Sequence, residues 1–517
     1  MLLSCGDDPI ATENSAPSAG DVSATTQSPN PVAITLTGSD PDGDALTFQI
    51  TDGPDGGSVS VPVSTGPTSA TVTYTPSAGT LGDDTFTYVA RDGSAVSEPA
   101  TATVTVTAPA PNVAPSFTIG TAVTDSPGAG PRSIAGWVTD ISAGTPTEAG
   151  QTLSFSVSND NNALFSVQPA IAPDGTLSYT PAASGTGSAT LTVTLSDDGG
   201  TANGGVDTSP EQTASVALTF TAYVANGGEA SVSVIDVATD QVTDRIDVGD
   251  APVAVAFAPD GARVFVVARG DDQVDVIDVV TGSVTDMIPV GEEPEALALT
   301  PDGSTAFVAN AVSNTASVID VATRTVTATI PLSGRPQAVA VTPDGTSAYV
   351  VRADVDSVSV IDVATATVTG SIATTGRRPR AVTFTPDGAS AWVATSFGDG
   401  ISVIDVGTAT VTGMIPVGSN PRSIAFTPDG SVAYVANQSD DVIAVVDVAT
   451  ESVTGTIAVG DGPFSVAFTP DGTRAYTANF TSGTVSVVDV EAGVLVETIP
   501  VERFSRSVAI SRVVRQQ

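Results

Sequence analysis

The fold class is all-β, and three observations predict it. A unit of about 42 residues recurs from Thr221 to the C-terminus, marked by an aromatic residue at Tyr223, Phe265, Phe307, Tyr349, Trp392, Tyr434 and Tyr476. A second mark is the aspartate at Asp236, Asp278, Asp320, Asp362, Asp405, Asp447 and Asp489, and a third is a Pro-Asp-Gly turn beginning at Pro259, Pro301, Pro343, Pro386, Pro428 and Pro470. The interval is 42 throughout, except for one of 43 in the fifth unit, where an extra residue falls near Arg377. Recurrence at this period signals a radial array of small sheets.

Each unit reads as four short strands. In the third unit Gln337 to Thr342 alternates and ends in the turn, Ser347 to Ala353 alternates again, and Val358 to Val363 and Thr367 to Ile372 follow. Period-2 runs rich in Val, Ile and Thr, punctuated by Gly, Pro and Asp, argue for strands and leave no room for helices. Four strands in about 40 residues make one propeller blade. The first copy lacks an inner strand, and the last is followed by a spare one, Arg506 to Arg512, so three strands plus one complete a seventh blade and cover two open sheet edges. The prediction for 221–517 is a seven-bladed β-propeller with 3+1 strand closure.

The tetrads beginning at Tyr223, Phe307, Tyr434 and Tyr476, each ending in Asn (Asn226, Asn310, Asn437, Asn479) and followed by a Ser-Val-Ile-Asp-Val type strand, resemble the Tyr-Val-Thr-Asn (YVTN) family of β-propeller repeats. Ala268, Arg352 and Thr395 replace the asparagine in three units, which singles out their loops.

Upstream, composition sets the bounds. The 517 residues leave room for two to four domains. Seventeen basic residues, all arginine, stand against 57 acidic ones, with no histidine. A net charge of −40 repels nucleic acid, whose binding depends on neutralising phosphates, and suits a secreted or envelope protein. The single cysteine, Cys5, excludes an intramolecular disulfide, and no run of 18 apolar residues is present to span a membrane. Leu2-Leu3-Ser4-Cys5-Gly6 resembles the lipobox of bacterial lipoproteins, which implies a lipidated Cys5, a membrane link through that anchor alone, and a natural start upstream of Met1. The alternative is a chance tetrapeptide, since the basic and apolar regions of a signal are missing.

Residues 1–30 read as this start followed by a flexible tether from Asp7, because Ser, Ala, Thr, Pro and Gly with few large apolar side chains do not offset the entropy of folding. Residues 31–107 read as a β-sandwich, with strands at Val32 to Thr37, Leu46 to Ile50, Ala70 to Thr75, Thr85 to Ala90 and Ala102 to Val106. The run Thr35 to Thr47, with Tyr74-Thr-Pro and Asp84 to Tyr88, resembles the cadherin-like repeats of bacterial surface proteins. Asp40, Asp42 and Asp44 place three carboxylates within five residues, a pattern suited to calcium, with Asp83, Asp84 or Asp92 completing the shell. The same pattern also suits an acidic turn held by side-chain-to-backbone hydrogen bonds. After a linker at 108–114, residues 115–220 read as a second sandwich, similar to immunoglobulin-like modules, with Trp137, Phe155, Phe165 and Tyr179 as core aromatics.

Within the propeller the recurring residues are structural, since a side chain needed once for chemistry does not appear seven times. The unrepeated ones point to function. Ahead of the inner strands stand Asp250; Glu292, Glu293 and Glu295; Arg335; Arg377, Arg378 and Arg380; Arg422; Asp461; and Arg503 and Arg506. On one face these make an acidic sector and an arginine sector, the second suited to carboxylate, sulfate or phosphate on a glycan, lipid or protein. The alternative is that the arginines pair with neighbouring acids and serve solubility. Three classes of function remain. The first is a non-enzymatic, monomeric surface or secreted protein whose propeller binds an envelope or extracellular protein or an anionic glycan, for adhesion. The second is a structural envelope component without a ligand, and the third is a lactonase-like or other hydrolytic enzyme. Without histidine, and with the thiol at the terminus, a carboxylate-based site is the main one left for an enzyme, and no unrepeated carboxylate pair stands out.

Overall fold

The computed structural model describes residues 13–183 and 185–511, so Cys5 and its lipidation lie outside the described residues. The chain forms two compact units. One takes the residues up to Ser116 with Ser142–Leu153 and Leu195–Ser209; the other takes Phe117–Ile141, Ser154–Thr194 and everything from Pro210. The division differs from a simple break near residue 115. Two segments of the second sandwich stretch belong with the first unit, and the rest belongs with the propeller.

In the first unit two sheets face each other. Ser18–Gly20, Val32–Ser39, Ser69–Pro76 and Gly57–Val59 form one, with Val63–Gly66 also pairing Ser69–Pro76; Val22–Gln27, Ala100–Thr107, Gly82–Arg91 and Thr47–Asp52 form the other. Alternation sets the core. Ile34, Leu36, Val72, Tyr74, Phe86, Tyr88, Val104 and Val106 point inward and are buried, while the threonines between them face out. The tether is shorter than its composition suggests. Ser18–Gly20 and Val22–Gln27 are strands, because pairing with Val32–Ser39 and Ala100–Thr107 satisfies their backbone, and the small side chains of Ala19, Val22 and Ala24 pack on the core. The Tyr88 hydroxyl also donates to the Gly20 carbonyl.

The second unit opens with two small sheets. Val123–Asp125, Gln212–Leu218, Gly187–Ser196 and Ser154–Asn159 form one, and Arg132–Ile134, Leu177–Pro181 and Phe165–Ile171 the other. Phe165 meets Tyr179 edge to face at 5.6 Å, Phe117 meets Phe155 at 5.5 Å, and the Trp137 indole donates to the Thr121 carbonyl at 3.0 Å. The Tyr179 hydroxyl donates to Asp125, which also pairs with Arg132 at 2.6 Å.

Seven four-stranded antiparallel sheets follow. Blade 1 joins Thr221–Asn226, Ser231–Asp236 and Gln241–Asp247 to the distant Ser505–Ser511, which pairs with Thr221–Asn226 as its innermost strand. Blades 2 to 7 begin with the inner strands Pro252–Phe257, Pro294–Leu299, Pro336–Val341, Arg377–Phe384, Pro421–Phe426 and Pro463–Phe468. Each inner strand neighbours the next, and Ser505–Ser511 lies between the first and last of these.

The repeated residues hold this array. Aromatic rings pack from one blade into the next: Tyr223 on Phe257, Tyr349 on Phe384 and Trp392 on Phe426, each at 5.0 Å and edge on. The strand aspartates accept the amide of the turn residue three positions on, as with Asp320 and Thr323 at 2.7 Å. In the Pro-Asp-Gly turns glycine occupies the left-handed region, with φ of 71° at Gly303, and the aspartate takes the amide two residues later. Three tetrad asparagines, Asn226, Asn310 and Asn479, tie the second strand to the third, Asn310 donating to Thr315 and Ser317 at 3.0 and 2.9 Å, while Asn437 donates to the Val417 carbonyl at 2.7 Å. Where Arg352 replaces asparagine, its guanidinium spreads over Ser333, Ser357 and Ser371 instead.

Candidate functional site: a cationic mouth on the propeller

In blades 2 to 7 the residue just after a recurring proline of the inner strand, and in blade 1 the second residue of Ser505–Ser511, points toward the propeller axis. Through blades 2 to 7 and then blade 1 this position reads Val253, Glu295, Gln337, Arg380, Arg422, Phe464 and Arg506, and all seven line one recess. The next residue inward is Ala or Ser in blades 3 to 7 and 1 (Ala296, Ala338, Ala381, Ser423, Ser465, Ser507), which leaves room beneath the larger side chains. Above lies a cavity of about 710 Å³, widened by Arg269, Arg335, Asp354, Asp356, Arg377, Arg378, Gln438 and Phe480. Seven of the 17 basic residues of a chain with net charge −40 therefore meet at one opening.

The turns that deliver these side chains share a backbone device. In every blade but the fourth the residue before the proline, or before Ser505, adopts a left-handed φ, at Ala251, Glu293, Arg378, Asn420, Gly462 and Phe504; in blade 4 the positive φ falls one residue earlier, at Gly334. Such a φ is uncommon for a non-glycine residue and persists only where the surroundings impose it. Here a carboxylate or neighbouring amide fixes the turn: Asp272 accepts the Glu293 amide at 2.8 Å and Asp356 the Arg378 amide at 2.7 Å.

Charge pairing divides the mouth. On the acidic side Arg269 binds Glu293 at 2.6 Å and Glu295 at 3.3 Å, Arg335 reaches Glu293 at 3.2 Å, and Arg506 lies 3.7 Å from Glu295. The Arg269 guanidinium holds the Glu293 carboxyl below the usual range. On the other side Arg380 and Arg422 have no carboxylate within ion-pair distance among the described residues. Arg380 donates to the Gln337 amide oxygen and Arg422 to that of Gln438, both at 2.6 Å. Arg422 also lies over the Phe464 ring at 5.1 Å, while Arg506 lies over Phe464 and Phe480 at 5.6 and 5.3 Å. Burial, then the like charges of Arg380 and Arg506, push the Arg422 guanidinium down to about 10, with Glu295 opposing. Arg380 and Arg506 are lowered too, chiefly by burial.

The arginines read from the sequence do not behave alike. Arg335, Arg377, Arg378, Arg380, Arg422 and Arg506 line the cavity, with Arg377 largely exposed and 3.7 Å from Asp356. Arg503 is exposed and stands outside the lining, its carbonyl accepting the Gly228 amide. Arg269, Gln438 and Phe480 were not anticipated. All three directly follow the tetrad, at a position whose residue changes from blade to blade, and that variability is the signal that would have found them.

The acidic run of the first unit is arranged as a turn. Asp40 accepts the amides of Asp42 and Asp44 through one oxygen, at 2.8 and 3.3 Å, while its other oxygen is buried without a partner. Asp42 takes the Ser15 amide at 2.6 Å, and Asp92 takes the amides of Ser94 and Ala95 and the Asn14 side chain. Asp84 is bound by Tyr74, Asp55 and Gly56 in the sandwich core, and Asp83 by Thr105. No group of three candidate ligands converges among the described residues.

A β-propeller joined to an immunoglobulin-like domain is the class that fold and site define, an arrangement that fits a surface or binding protein. Comparison with known proteins gives the particular kinds: residues 14–107 match the family model of a bacterial Ig domain, and residues 260–347 and 335–432 that of a YNCE-like β-propeller. Bacterial Ig domains are typical of extracellular and surface proteins. Among curated proteins, none matches the chain. Among solved structures, a functionally unknown protein from Desulfotomaculum acetoxidans is similar at 18% identity and a TM-score of 0.52, over 57% of this chain and 99% of that one. Kuenenia stuttgartiensis hydrazine synthase matches at 23% identity and 0.47, over 50% and 88%, and dihydro-heme d1 dehydrogenase NirN at 20% and 0.44, over 54% and 63%. These likenesses extend to the fold alone. No helix among the described residues is long and apolar enough to cross a membrane.

Proposed function

We propose that this protein is a non-enzymatic, monomeric binding protein of the cell surface or the secreted space, whose propeller mouth captures an anionic group of an envelope or extracellular partner. The observation that carries the reading is the pair Arg380 and Arg422, cations with no carboxylate within ion-pair distance among the described residues, in a chain otherwise dominated by acids. An arginine that served only solubility would sit in solvent beside one of the many acids. These two are held in a recess by glutamine oxygens and an aromatic ring, a preorganised acceptor of carboxylate, sulfate or phosphate.

Against catalysis stands the state of the acids in the mouth. Glu293 faces Arg269, which favours its ionised form, the reverse of the environment that prepares a carboxylic acid to donate a proton. The test is retention of the full chain on immobilised sulfated, phosphorylated and carboxylated glycans at low salt. Retention is expected for the parent and not for a folded Arg380→Gln/Arg422→Gln variant. Equal retention of both, or of neither, would favour a structural component without a ligand at this face.

A further inference from the structure

The mouth is more than a patch of positive charge, and its remaining groups narrow the ligand. Phe464 belongs to the axial ring and is only half-buried; Phe480 and Phe504 continue from it, with centroids at 5.7 and 4.9 Å and planes tilted by 34° and 37°. This makes a row of aromatic rings at the mouth, with Arg422 over Phe464 and Arg506 over Phe464 and Phe480. Two amide side chains stand around it. Gln438 is fixed by its oxygen, which accepts from Arg422 at 2.6 Å and Asn420 at 3.0 Å, so its NH₂ group is turned away from both as a donor. Opposite, Glu295 offers acceptor oxygens within the same ring of side chains.

Charge alone would serve inorganic phosphate or any polyanion. A flat apolar face, paired guanidiniums, an oriented amide donor and a carboxylate acceptor together fit a ligand with an acid group, a C–H face and several hydroxyls on one rigid ring. The volume of about 710 Å³ exceeds the need of a small inorganic anion and lies in the range of about 300–1,000 Å³ usual for organic ligands. Resting on the anion-binding reading above, we infer that the mouth recognises an acidic sugar, a uronate, with its carboxylate between Arg380 and Arg422 and its ring against Phe464. Glu295 then selects hydroxyl-bearing ligands. It repels a second negative charge placed on its side of the ring, so a sparsely charged sugar acid is preferred to a densely charged polyphosphate.

The test is calorimetric titration of the full chain at low salt with galacturonate, a galacturonate oligomer, its methyl ester, a neutral glucan oligomer, inorganic phosphate and a thymidine oligomer. Binding of the acidic oligomer is expected. It should weaken at least tenfold on esterification and equally in Arg380→Gln/Arg422→Gln. Phe464→Ala should weaken the sugar acid several-fold while leaving any phosphate binding unchanged, which a general loss of fold would not do. The monomer arm tells a free sugar acid from a chain-borne one. Equal affinity for ester and acid, tighter binding of phosphate or the thymidine oligomer, or indifference to Phe464→Ala would overturn the sugar assignment. Phosphate binding that depends on Arg380 and Arg422, without sugar binding, would leave the anion-binding reading standing; no binding of any anion would remove both.

Discussion

Single residues in this protein carry opposite assignments for stability and for binding, and Arg422 shows the division. Its guanidinium is charged in a recess that burial and two neighbouring arginines make unfavourable, so its folded value lies below the ordinary arginine range. For a cation the sign follows directly: the penalty on the fold is present at neutral pH and fades as pH rises through about 10. Arg422→Met keeps a side chain on Phe464 and leaves Gln438 bonded to Asn420, so the variant should melt a few degrees higher at pH 7 while losing anion binding. A calorimetric Tm below the parent's would show that the Gln438 bond outweighs the charge. The strand aspartates behave conversely. Asp320 is held below the usual carboxylate range, first by the Thr323 amide and then by its hydroxyl, so its contribution is full above about pH 4 and is lost as pH falls through its folded value. Asp320→Ala should lower Tm by a few degrees at pH 7, and the gap to the parent should narrow as pH falls below about 4. A gap independent of pH would mean that the carboxylate charge is irrelevant to the turn. Sequence made these aspartates legible because each occurs seven times in register. Arg380 and Arg422 were legible as charges out of keeping with the composition, whereas Gln337, Gln438 and Phe464 are neutral and announce nothing until the inner strands bring them into one ring.

At the scale of elements, one strand decides whether the array is closed. Ser505–Ser511 supplies the inner edge of blade 1, pairing with Thr221–Asn226, and its Val508 packs among Ala222, Val224, Ala478 and Val485. The seam is reinforced on its outer side, where Asp240 accepts from Arg474 at 2.6 Å and from the Tyr476 hydroxyl at 2.5 Å, and nearer the mouth by the pairing of Arg245 with Glu502. Removing Arg503–Gln517 exposes a fully buried strand edge and part of an apolar core, each a template for association. The shortened protein should therefore elute as oligomers and melt over a broader range, at lower temperature. Cooperative melting at the parent temperature, as a monomer, would show that the strand is dispensable. The strands of the repeats were readable to within one or two residues, since their ends are set by Pro-Asp-Gly and Asp-x-x-Thr turns written into every copy. Ser18–Gly20 and Val22–Gln27 escaped because Ser-Ala-Gly and Val-Ser-Ala-Thr-Thr-Gln carry little apolar weight; what makes them strands is pairing with Val32–Ser39 and Ala100–Thr107, which no local pattern reveals.

For the molecule as a whole, salt separates the two roles of charge. Fifty-seven acids against 17 arginines leave a net charge of −40, whose self-repulsion acts on the compact state and is screened as the Debye length contracts from about 30 Å at 0.01 M to about 8 Å at 0.15 M. The same screening weakens attraction between the mouth and an anion, although less for the recessed Arg422 than for the exposed Arg377. Tm should thus rise with sodium chloride over this range while affinity for an anionic ligand falls, the two responses having opposite sign in one protein. Calcium adds nothing specific on this account, because the acids of the Asp40 turn are taken up by backbone amides: one millimolar calcium should match the shift given by magnesium at equal ionic strength, and EDTA should leave Tm unchanged. A calcium-specific rise, abolished by Asp40→Asn, would show that the buried second oxygen of Asp40 has a cation for a partner. If salt raised Tm and binding together, the arginine mouth would not be an electrostatic receptor, and the shelf of Phe464, Phe480 and Phe504 would have to carry recognition by apolar contact alone.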